Sequence, residues 1–399
     1  MRRAATLAAP LLLLLLLVAP PLASASCVYS ERGDLSEVLA VTRERALTHR
    51  GEEWGWTDLR GENFTPIGVA TAARSPVAAS PDGAWIAWER LEGPRGWNCA
   101  AEGAALAMRA TDADPTLPAP VTVDGAVRAL AASATHVFAA LEGRDHLSRF
   151  AWGEAQETPL VVDRAAAYER ARILIDAEAW TARDVRMLRA SPDGSLLAIV
   201  SWSDVDPAAS VREVLVVDAA TGIPVGTSIG WGFERVLLDL AFSPDGRRLA
   251  ILTGDAERFT DLYVREVESG AIASRWLDTR PAADIAWGAR GLAVALREPP
   301  LVGSGPVNGT VVLLAEDELR ETARWNWSRA SPAGLAWAGE DTLVAALGGR
   351  LEALDAAPSP EPPLEPAEQA PVPAPAAVAA LVAVALAAIA LRPRRRRRG

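Results

Sequence analysis

The sequence of 399 residues contains no lysine, two cysteines, three histidines and four asparagines. All 40 basic side chains are therefore arginines, and eight of them lie at the two ends of the chain. The body of the protein holds the remaining 32 arginines and 51 acidic residues, so its net charge is negative. Because an acidic body repels nucleic acid phosphates, the composition argues against a nucleic-acid-binding function.

Motifs of the common catalytic chemistries are also missing. His49, His136 and His146 have neither the H-x-x-x-H spacing nor the cysteine neighbours of a zinc site. There is no G-x-S-x-G nucleophile elbow, no P-loop and no dinucleotide fingerprint. We therefore predict no catalytic residues, no metal site and no cofactor.

The N-terminus has the three parts of a secretory signal within residues 1–25. Arg2 and Arg3 form a positive start, Leu11 to Val18 form a short apolar run, and Ala23 to Ala25 supply the small residues of a cleavage site. The mature protein is therefore predicted to lie outside the cytoplasm.

The C-terminus is predicted to anchor the protein in a membrane. Residues 356–375 form a Pro- and Ala-rich stalk, and residues 376–391 form an apolar run. As a helix this run spans roughly 24 Å, slightly less than a hydrocarbon core of about 30 Å. The basic tail at 392–399 stays cytoplasmic, which places the N-terminus outside and the C-terminus inside.

This tail resembles the PGF-CTERM and PEP-CTERM sorting signals of prokaryotic surface proteins. The resemblance implies processing by an archaeosortase or exosortase. The sequence departs from those families at 371–375, where Pro-Val-Pro-Ala-Pro replaces Pro-Gly-Phe or Pro-Glu-Pro. A permanent membrane span is therefore the alternative to a cleaved tail.

Cysteine and asparagine usage agree with export. Cys27 and Cys99 are predicted to form a disulfide in an oxidising compartment, although two unpaired thiols are the alternative. Three of the four asparagines begin N-x-[ST] sequons and are predicted to carry glycans: Asn63, Asn308 and Asn326.

The sequence repeats Ser-Pro-Asp-Gly three times, each time before an apolar run. Proline presets φ, aspartate bonds local amides and glycine accepts a positive φ, so each copy predicts a turn between two strands. The turn residues are Asp82, Gly83, Asp193, Gly194, Asp245 and Gly246.

A step of a large apolar residue followed by alanine extends the series. It occurs at Ile86, Phe138, Leu197, Leu249, Leu292 and Val344, each followed by alanine. A second hairpin follows each step, so each unit holds four strands, and units of this kind close into a β-propeller. A stacked solenoid is the alternative.

The predicted fold is therefore an all-β propeller ectodomain over residues 26–355, with a C-terminal transmembrane helix. Seven blades are favoured over six, because Val38 to Val41 offers a seventh step. The last repeat ends at Asp355 before a fourth strand, and the N-terminal segment is expected to complete it. Residues 163–184 are predicted to be an insertion.

Ser-Pro-Asp-Gly-x-x-Leu-Ala resembles the blade motif of TolB-type and related WD-like propellers. The resemblance covers most of the ectodomain and implies a fold rather than a function, and the WD dipeptide itself is missing.

Two functions fit these observations. The first is a surface propeller without catalysis that binds a protein or glycan. Six tryptophans beside glycine or polar residues are predicted to lie in loops and bind the ligand: Trp54, Trp56, Trp97, Trp231, Trp325 and Trp327. The alternative is an extracytoplasmic lactonase or sugar dehydrogenase with a metal or cofactor in the central channel, for which Asp239 and Asp284 are the candidate inward-facing acids.

Overall fold

The computed structural model describes residues 38–42, 44–50, 53–59, 63–70, 76–90, 104–113, 119, 121–163, 185–202, 212–226, 229–231, 236–255, 259–298, 308–347 and 350–357. Within these ranges the chain consists of strands and their connections, and no helix there could cross a bilayer. The predicted signal sequence, apolar span and basic tail lie outside the described residues. So do both cysteines and residues 164–184 of the predicted insertion.

Twenty-seven strands form seven antiparallel sheets, each built from consecutive strands. Six sheets have four strands and the last has three among the described residues. We number the sheets as blades 1 to 7 in chain order.

The strands of the first four blades are β1 (Val38–Val41), β2 (Arg45–Arg50), β3 (Glu53–Asp58) and β4 (Thr65–Ala70) in blade 1; β5 (Val77–Ala79), β6 (Trp85–Arg90), β7 (Ala105–Ala110) and β8 (Val121–Asp124) in blade 2; β9 (Val127–Ala132), β10 (His136–Leu141), β11 (Leu147–Ala151) and β12 (Thr158–Leu160) in blade 3; and β13 (Val185–Ala190), β14 (Leu196–Trp202), β15 (Arg212–Asp218) and β16 (Ile229–Trp231) in blade 4.

The strands of the last three blades are β17 (Val236–Phe242), β18 (Arg248–Asp255), β19 (Phe259–Glu266) and β20 (Ile272–Asp278) in blade 5; β21 (Ala282–Gly288), β22 (Gly291–Arg297), β23 (Gly309–Leu314) and β24 (Glu321–Trp327) in blade 6; and β25 (Pro332–Ala338), β26 (Thr342–Leu347) and β27 (Arg350–Asp355) in blade 7.

Apolar clusters between neighbouring blades close these sheets into a ring. Six clusters join each blade to the next, and a seventh joins blade 7 back to blade 1. This closing seam contains Ala46 of blade 1 with Ala338, Val344, Ala346 and Leu351 of blade 7. Because every sheet buries both faces against its neighbours, the fold is a propeller of seven blades, as predicted, and not a stacked solenoid.

The repeated apolar step lies on the second strand of each blade, but its predicted register is wrong in two of them. In blade 4, Leu197 packs towards blade 3 and Ala198 towards blade 5. In blade 3 the residue that packs towards the preceding blade is Val137, one position before Phe138. Small residues occupy several positions of this strand, so the pattern of a large residue followed by alanine matches in two registers. Because successive side chains point to opposite faces of a sheet, a shift of one residue exchanges the two faces.

The same one-residue displacement occurs in blade 7, where Leu343 rather than Val344 packs towards blade 6. The predicted seventh step was misplaced, since Val38–Val41 is the first strand of its blade. The equivalent residues are Ala46 and Leu47 on β2. Residues 38–70 thus contribute the four strands of a blade of their own, and the part of the N-terminal segment before Val38, which could supply the fourth strand of the last blade, lies outside the described residues.

Candidate functional site

Strand order divides the connections of the propeller between two ends. Because neighbouring strands are antiparallel, the connections from first to second and from third to fourth strand lie at one end of every blade. We call this the turn end. The connections from second to third strand and from blade to blade lie at the other end, which we call the loop end.

The Ser-Pro-Asp-Gly motifs form the predicted turns at the turn end. Ser191 Oγ donates to Asp193 Oδ1 at 2.6 Å and accepts from the Leu196 amide at 2.9 Å. Asp193 Oδ1 also accepts from the Ser195 amide at 3.1 Å. The turns that begin at Ser80 and Ser243 repeat all three bonds. The serine therefore joins both arms of the turn, a role that the sequence analysis missed.

These hydrogen bonds act on the carboxylates of the turns. In each turn the serine hydroxyl is the largest contributor, and with the backbone amides it lowers the pKa of Asp82, Asp193 and Asp245 below the ordinary aspartate value. The cause is preferential bonding to the charged form. The three aspartates thus accept hydrogen bonds within their turns that favour the charged carboxylate.

The glycine of each turn packs against the preceding blade. Gly83 has φ +70°, and a Cβ placed there would lie 2.3 Å from the Trp56 ring. A Cβ on Gly194 would lie 2.7 Å from Ser133 Cβ, whereas one on Gly246 would lie 3.7 Å from Ser191 Cβ. The motif thus provides both a left-handed turn position and a close contact between blades.

The turn end is strongly acidic. Its described connections contain thirteen carboxylates but only three arginines, Arg247, Arg290 and Arg320. At the loop end, the described connections hold four carboxylates and three arginines. The carboxylates of the turn end are Glu44, Asp82, Asp112, Glu154, Glu157, Asp193, Asp245, Glu268, Glu316, Asp317, Glu318, Glu340 and Asp341.

The two ends also differ in the length of their connections. At the turn end the connections hold between 2 and 10 residues. At the loop end three are longer, with 14 residues between β6 and β7, 24 between β12 and β13, and 11 between β22 and β23. Length variation is therefore concentrated at the loop end.

The chain leaves the propeller at the turn end. Strand β27 pairs with β26 so that Asp355 lies opposite Thr342, beside the turn between β25 and β26. The amide of Ala356 then donates to the carbonyl of Asp341 at 2.8 Å. Pro358 begins a second unit, all of which lies outside the described residues.

The tryptophans predicted to lie in loops lie on strands wherever they are described. Trp54 and Trp56 are on β3 and are buried between blades 1 and 2. Trp325 and Trp327 are half-buried on β24, where Trp327 Nε1 donates to Glu352 Oε2 of blade 7 at 3.0 Å. Trp231 is the last residue of β16, and Trp97 lies outside the described residues. Ligand binding by these residues stays a prediction, and burial argues against it for Trp54 and Trp56.

The two candidate channel acids make contacts between blades. Asp239 Oδ1 accepts from Arg189 Nη2 of blade 4 at 2.7 Å and from the Leu240 amide at 2.8 Å. Asp284 Oδ2 accepts from the Leu335 amide of blade 7 at 2.7 Å. Among the described residues, no three His, Cys, Asp or Glu side chains form a group that could hold a metal ion.

A cluster around His146 in blade 3 was missed by the sequence analysis. Its Nδ1 lies 2.8 Å from Asp145 Oδ1 and its Nε2 lies 2.9 Å from Glu157 Oε1. Ser148 Oγ donates to the same Glu157 oxygen at 2.7 Å. Glu157 comes from a different connection, so no spacing motif in the sequence could have shown this cluster.

The sequon asparagines lie on the surface of two blades. Asn63 is exposed at the turn end, and its Nδ2 donates to Asp58 Oδ2 at 2.8 Å. Asn308 directly precedes β23 and Asn326 lies on the neighbouring strand β24, both at the loop end of blade 6, where Asn326 pairs with Thr310. Asn326 Oδ1 accepts from Thr310 Oγ1, the hydroxyl of the other sequon, at 2.9 Å. The two sequons of blade 6 are therefore cross-strand neighbours.

No protein-family model matches this chain, and no curated protein sequence matches it. Solved structures match its fold. A chain in the crystal structure of a mitotic checkpoint complex has a TM-score of 0.53 at 12% identity, over 81% of this chain and 90% of that one. The Cps50 (Swd1) β-propeller domain of Myceliophteria thermophila has the same score and identity, over 81% of this chain and 96% of the domain.

The chain is a seven-bladed β-propeller with WD40-like structural neighbours. At this level of identity the likeness establishes the fold alone.

Proposed function

We propose that this protein is an extracytoplasmic, membrane-anchored propeller that binds a protein partner through its loop end and performs no catalysis. The observation that carries the proposal is the asymmetry between the two ends. The chain leaves the propeller at the turn end, beside Asp341, and the predicted stalk and membrane span follow from there. The loop end is the end away from this exit, and it carries the three longest connections.

Charge argues against direct binding of the turn end to a membrane. The turn end carries thirteen carboxylates in its described connections, and anionic headgroups repel such a surface, so this end offers no membrane-binding face of its own. The loop end is nearly balanced in charge in its described connections, and long surface connections on a rigid scaffold are where binding residues concentrate. Propellers with WD40-like structure, including a chain of the mitotic checkpoint complex, occur in protein assemblies.

The enzyme alternative depends on acids in the central channel. Both candidates, Asp239 and Asp284, accept hydrogen bonds that join neighbouring blades. No observation favours a catalytic role for them, so we do not propose one. A predicted Cys27–Cys99 disulfide and glycans on Asn63, Asn308 and Asn326 belong to the extracytoplasmic proposal.

The absence of lysine makes the proposal directly testable. Arg329→Lys places one amine at the loop end, and Arg247→Lys places one at the turn end; both arginines are exposed. In each variant, the introduced lysine and the N-terminal α-amine are the only primary amines of the chain. We expect a membrane-impermeant amine reagent to label both variants on intact cells. Labelling only after lysis would show that the propeller is not extracytoplasmic.

The same pair of variants tests which end binds. With an impermeant amine cross-linker, we expect a protein adduct from Arg329→Lys and none from Arg247→Lys. Adducts from the turn-end variant alone would contradict the proposed orientation. A specific glycan ligand without any protein adduct would favour the glycan-binding form of the hypothesis.

The fate of the C-terminus needs a separate measurement. The intact mass of the mature protein shows whether residues 376–399 remain attached. Their retention indicates a permanent membrane span, and their loss indicates processing of the archaeosortase or exosortase type.

A further inference from the structure

The two sequons of blade 6 lie side by side, but their acceptor groups have different surroundings. The first runs from Asn308 to Thr310 and leads into β23, and the second runs from Asn326 to Ser328 at the end of β24. Strand β23 pairs on both sides, whereas β24 is the edge strand of its sheet. The sequon is defined by the asparagine amide and the hydroxyl two residues later, so a modifying enzyme must reach both groups. Their accessibility therefore decides which sequon can be used.

The hydroxyl of the first sequon is buried and hydrogen-bonded in both directions. Thr310 is 4% exposed. Its Oγ1 accepts from Arg280 Nη1 at 3.1 Å and donates to Asn326 Oδ1 at 2.9 Å. The guanidinium of Arg280 is held in turn by Asp278, whose Oδ2 lies 2.8 Å from Arg280 Nη2. An enzyme therefore cannot reach this hydroxyl while blade 6 is folded.

The side-chain amide of Asn308 is also used within the fold. Its Nδ2 donates to Glu298 Oε2 at 2.7 Å, and its Oδ1 accepts from the Arg329 amide at 2.9 Å. Arg329 has φ +64°, so the second bond stabilises a left-handed position in the connection between β24 and β25. Gly309, the middle residue of the sequon, is buried, and a Cβ there would lie 2.2 Å from Pro332 Cδ. Both ends of the Asn308 amide and the residue after it are thus enclosed by the blade.

The acceptor groups of the second sequon are open. Asn326 and Ser328 are both exposed, and Ser328 lies in the surface connection that follows β24. Among the described residues, the Asn326 side chain bonds only through Oδ1, so its Nδ2 carries no hydrogen bond to the protein. A glycan would join this nitrogen. Modification of Asn326 therefore leaves the bond between Oδ1 and Thr310 in place.

We propose that folded blade 6 accepts a glycan at Asn326 and excludes one from Asn308, so that Asn308 is modified only where the enzyme acts before β23 has paired. In this transfer Nδ2 loses a proton and bonds to the anomeric carbon of a lipid-linked oligosaccharide. The bond from that carbon to phosphate breaks, and the lipid phosphate leaves with its electron pair. In the cell the modification rests on the proposed extracytoplasmic location, whereas the accessibility of the two sequons is a property of the purified chain.

The purified full chain, produced without glycans, is incubated with a purified oligosaccharyltransferase and its lipid-linked oligosaccharide. Mass spectrometry of proteolytic peptides then gives the rate at each site, and synthetic peptides of residues 304–314 and 322–332 give the rate of each sequon without a fold. We expect Asn326 of the folded chain to react at a rate similar to that of its peptide. We expect Asn308 to react about a hundredfold more slowly than its peptide, because two hydrogen bonds must open before the enzyme can act.

Ser328→Ala separates burial from competition between neighbouring glycans. The variant removes the second sequon and keeps the buried contacts of Thr310, so Asn308 should stay unmodified in it. Equal urea midpoints for the variant and the wild type show that both are folded. Modification of Asn308 at the rate of its peptide, in either folded protein, overturns the proposal. Modification of Asn326 in the folded wild type that is a hundredfold slower than in its peptide overturns it as well.

Discussion

The Ser-Pro-Asp-Gly turn occurs at the junction between blades 1 and 2 and again at the junction between blades 4 and 5. The neighbouring blade contacts it with a different side chain in each case. Gly83 of the first Ser-Pro-Asp-Gly turn packs against the ring of Trp56, whereas Gly246 of the third packs against Ser191. The hydrogen bonds within the two turns are the same. A repeated motif therefore conserves its internal bonds while its contact with the neighbouring blade varies.

Tryptophan also packs on a glycine at two other junctions. Trp337 of blade 7 packs on Gly288 of blade 6 and donates to the carbonyl of Ala286 at 3.2 Å. Trp85 of blade 2 packs on Gly153 of blade 3 and stacks on Trp152, with ring centroids 5.9 Å apart. At these junctions, as at that between blades 1 and 2, a large ring of one blade packs on a glycine of its neighbour. This explains several of the chain's tryptophans by packing between blades.

The largest effect on stability is expected for Trp56→Ala. Trp56 is 6% exposed, and its removal leaves a cavity between blades 1 and 2. We expect a loss of about 3–5 kcal/mol in the free energy of unfolding, measured by urea denaturation. A loss below about 1 kcal/mol would show that the neighbouring blade collapses into the space and that the ring is not needed.

A matched pair of glycine substitutions sharpens the comparison. Gly83→Ala and Gly246→Ala both place a Cβ at a positive φ, of +70° and +71°, which costs about 1–2 kcal/mol. Only Gly83→Ala forces its Cβ to within 2.3 Å of a tryptophan ring. We expect it to cost about 1–3 kcal/mol more than Gly246→Ala, through overpacking.

The double variant checks the origin of that difference. In a Trp56→Ala background, the additional cost of Gly83→Ala should fall to that of Gly246→Ala. If the cost is unchanged, the strain does not come from the ring.

A smaller effect is expected for Ser191→Ala. The hydroxyl accepts from the Leu196 amide and donates to Asp193, and its loss leaves that amide without this partner. We expect a destabilisation of about 1 kcal/mol by thermal or urea unfolding. Ser243→Ala in the next turn should cost the same, and unequal losses would show that the two turns differ in strength.

The smallest effect is the pH dependence of the three turns. Folding lowers the pKa of Asp82, Asp193 and Asp245 from the ordinary value of 3.8, with the serine hydrogen bond as the main cause. Their contribution to stability is therefore complete above pH 3.8 and is lost as the pH falls through the lowered folded values. Because these side chains are exposed, the contribution of each is small.

Urea midpoints measured down to pH 2.5 would reveal this loss. The triple Asp→Asn variant should show a shallower decline below pH 4 than the wild type. Asp317→Asn is the control, because that side chain is 89% exposed. If the triple variant declines as steeply as the control, the turns do not contribute to acid unfolding.

Much of the fold followed from local chemistry. The Ser-Pro-Asp-Gly turns were predictable because proline, aspartate and glycine act within four residues of one another. The face on which each residue of the second strand lies was less predictable, since Val137 and Phe138 both fit the pattern of a large residue near a small one. Which of them faces the preceding blade is decided by packing with a distant part of the chain.

The candidate site was harder to predict, for a related reason. Trp54 and Trp56 flank Gly55, and the glycine suggested a loop. In the structure Gly55 lies within β3, where a Cβ would come within 2.5 Å of the Thr65 carbonyl oxygen. The glycine is required by close packing in a sheet and not by a turn. Likewise, His146 and Glu157 meet only because β11 and β12 pair.

The closing seam has a mechanical consequence. It holds five buried apolar residues among those described, three of them alanines, whereas the other six junctions hold nine to thirteen. Any force along the chain beyond Ala357 enters the ring through β27, the strand next to this seam. A pull on this end of the chain therefore acts beside the junction with the fewest buried apolar residues among those described. The ring should yield under tension by parting blade 7 from blade 1 while the other six blades stay together.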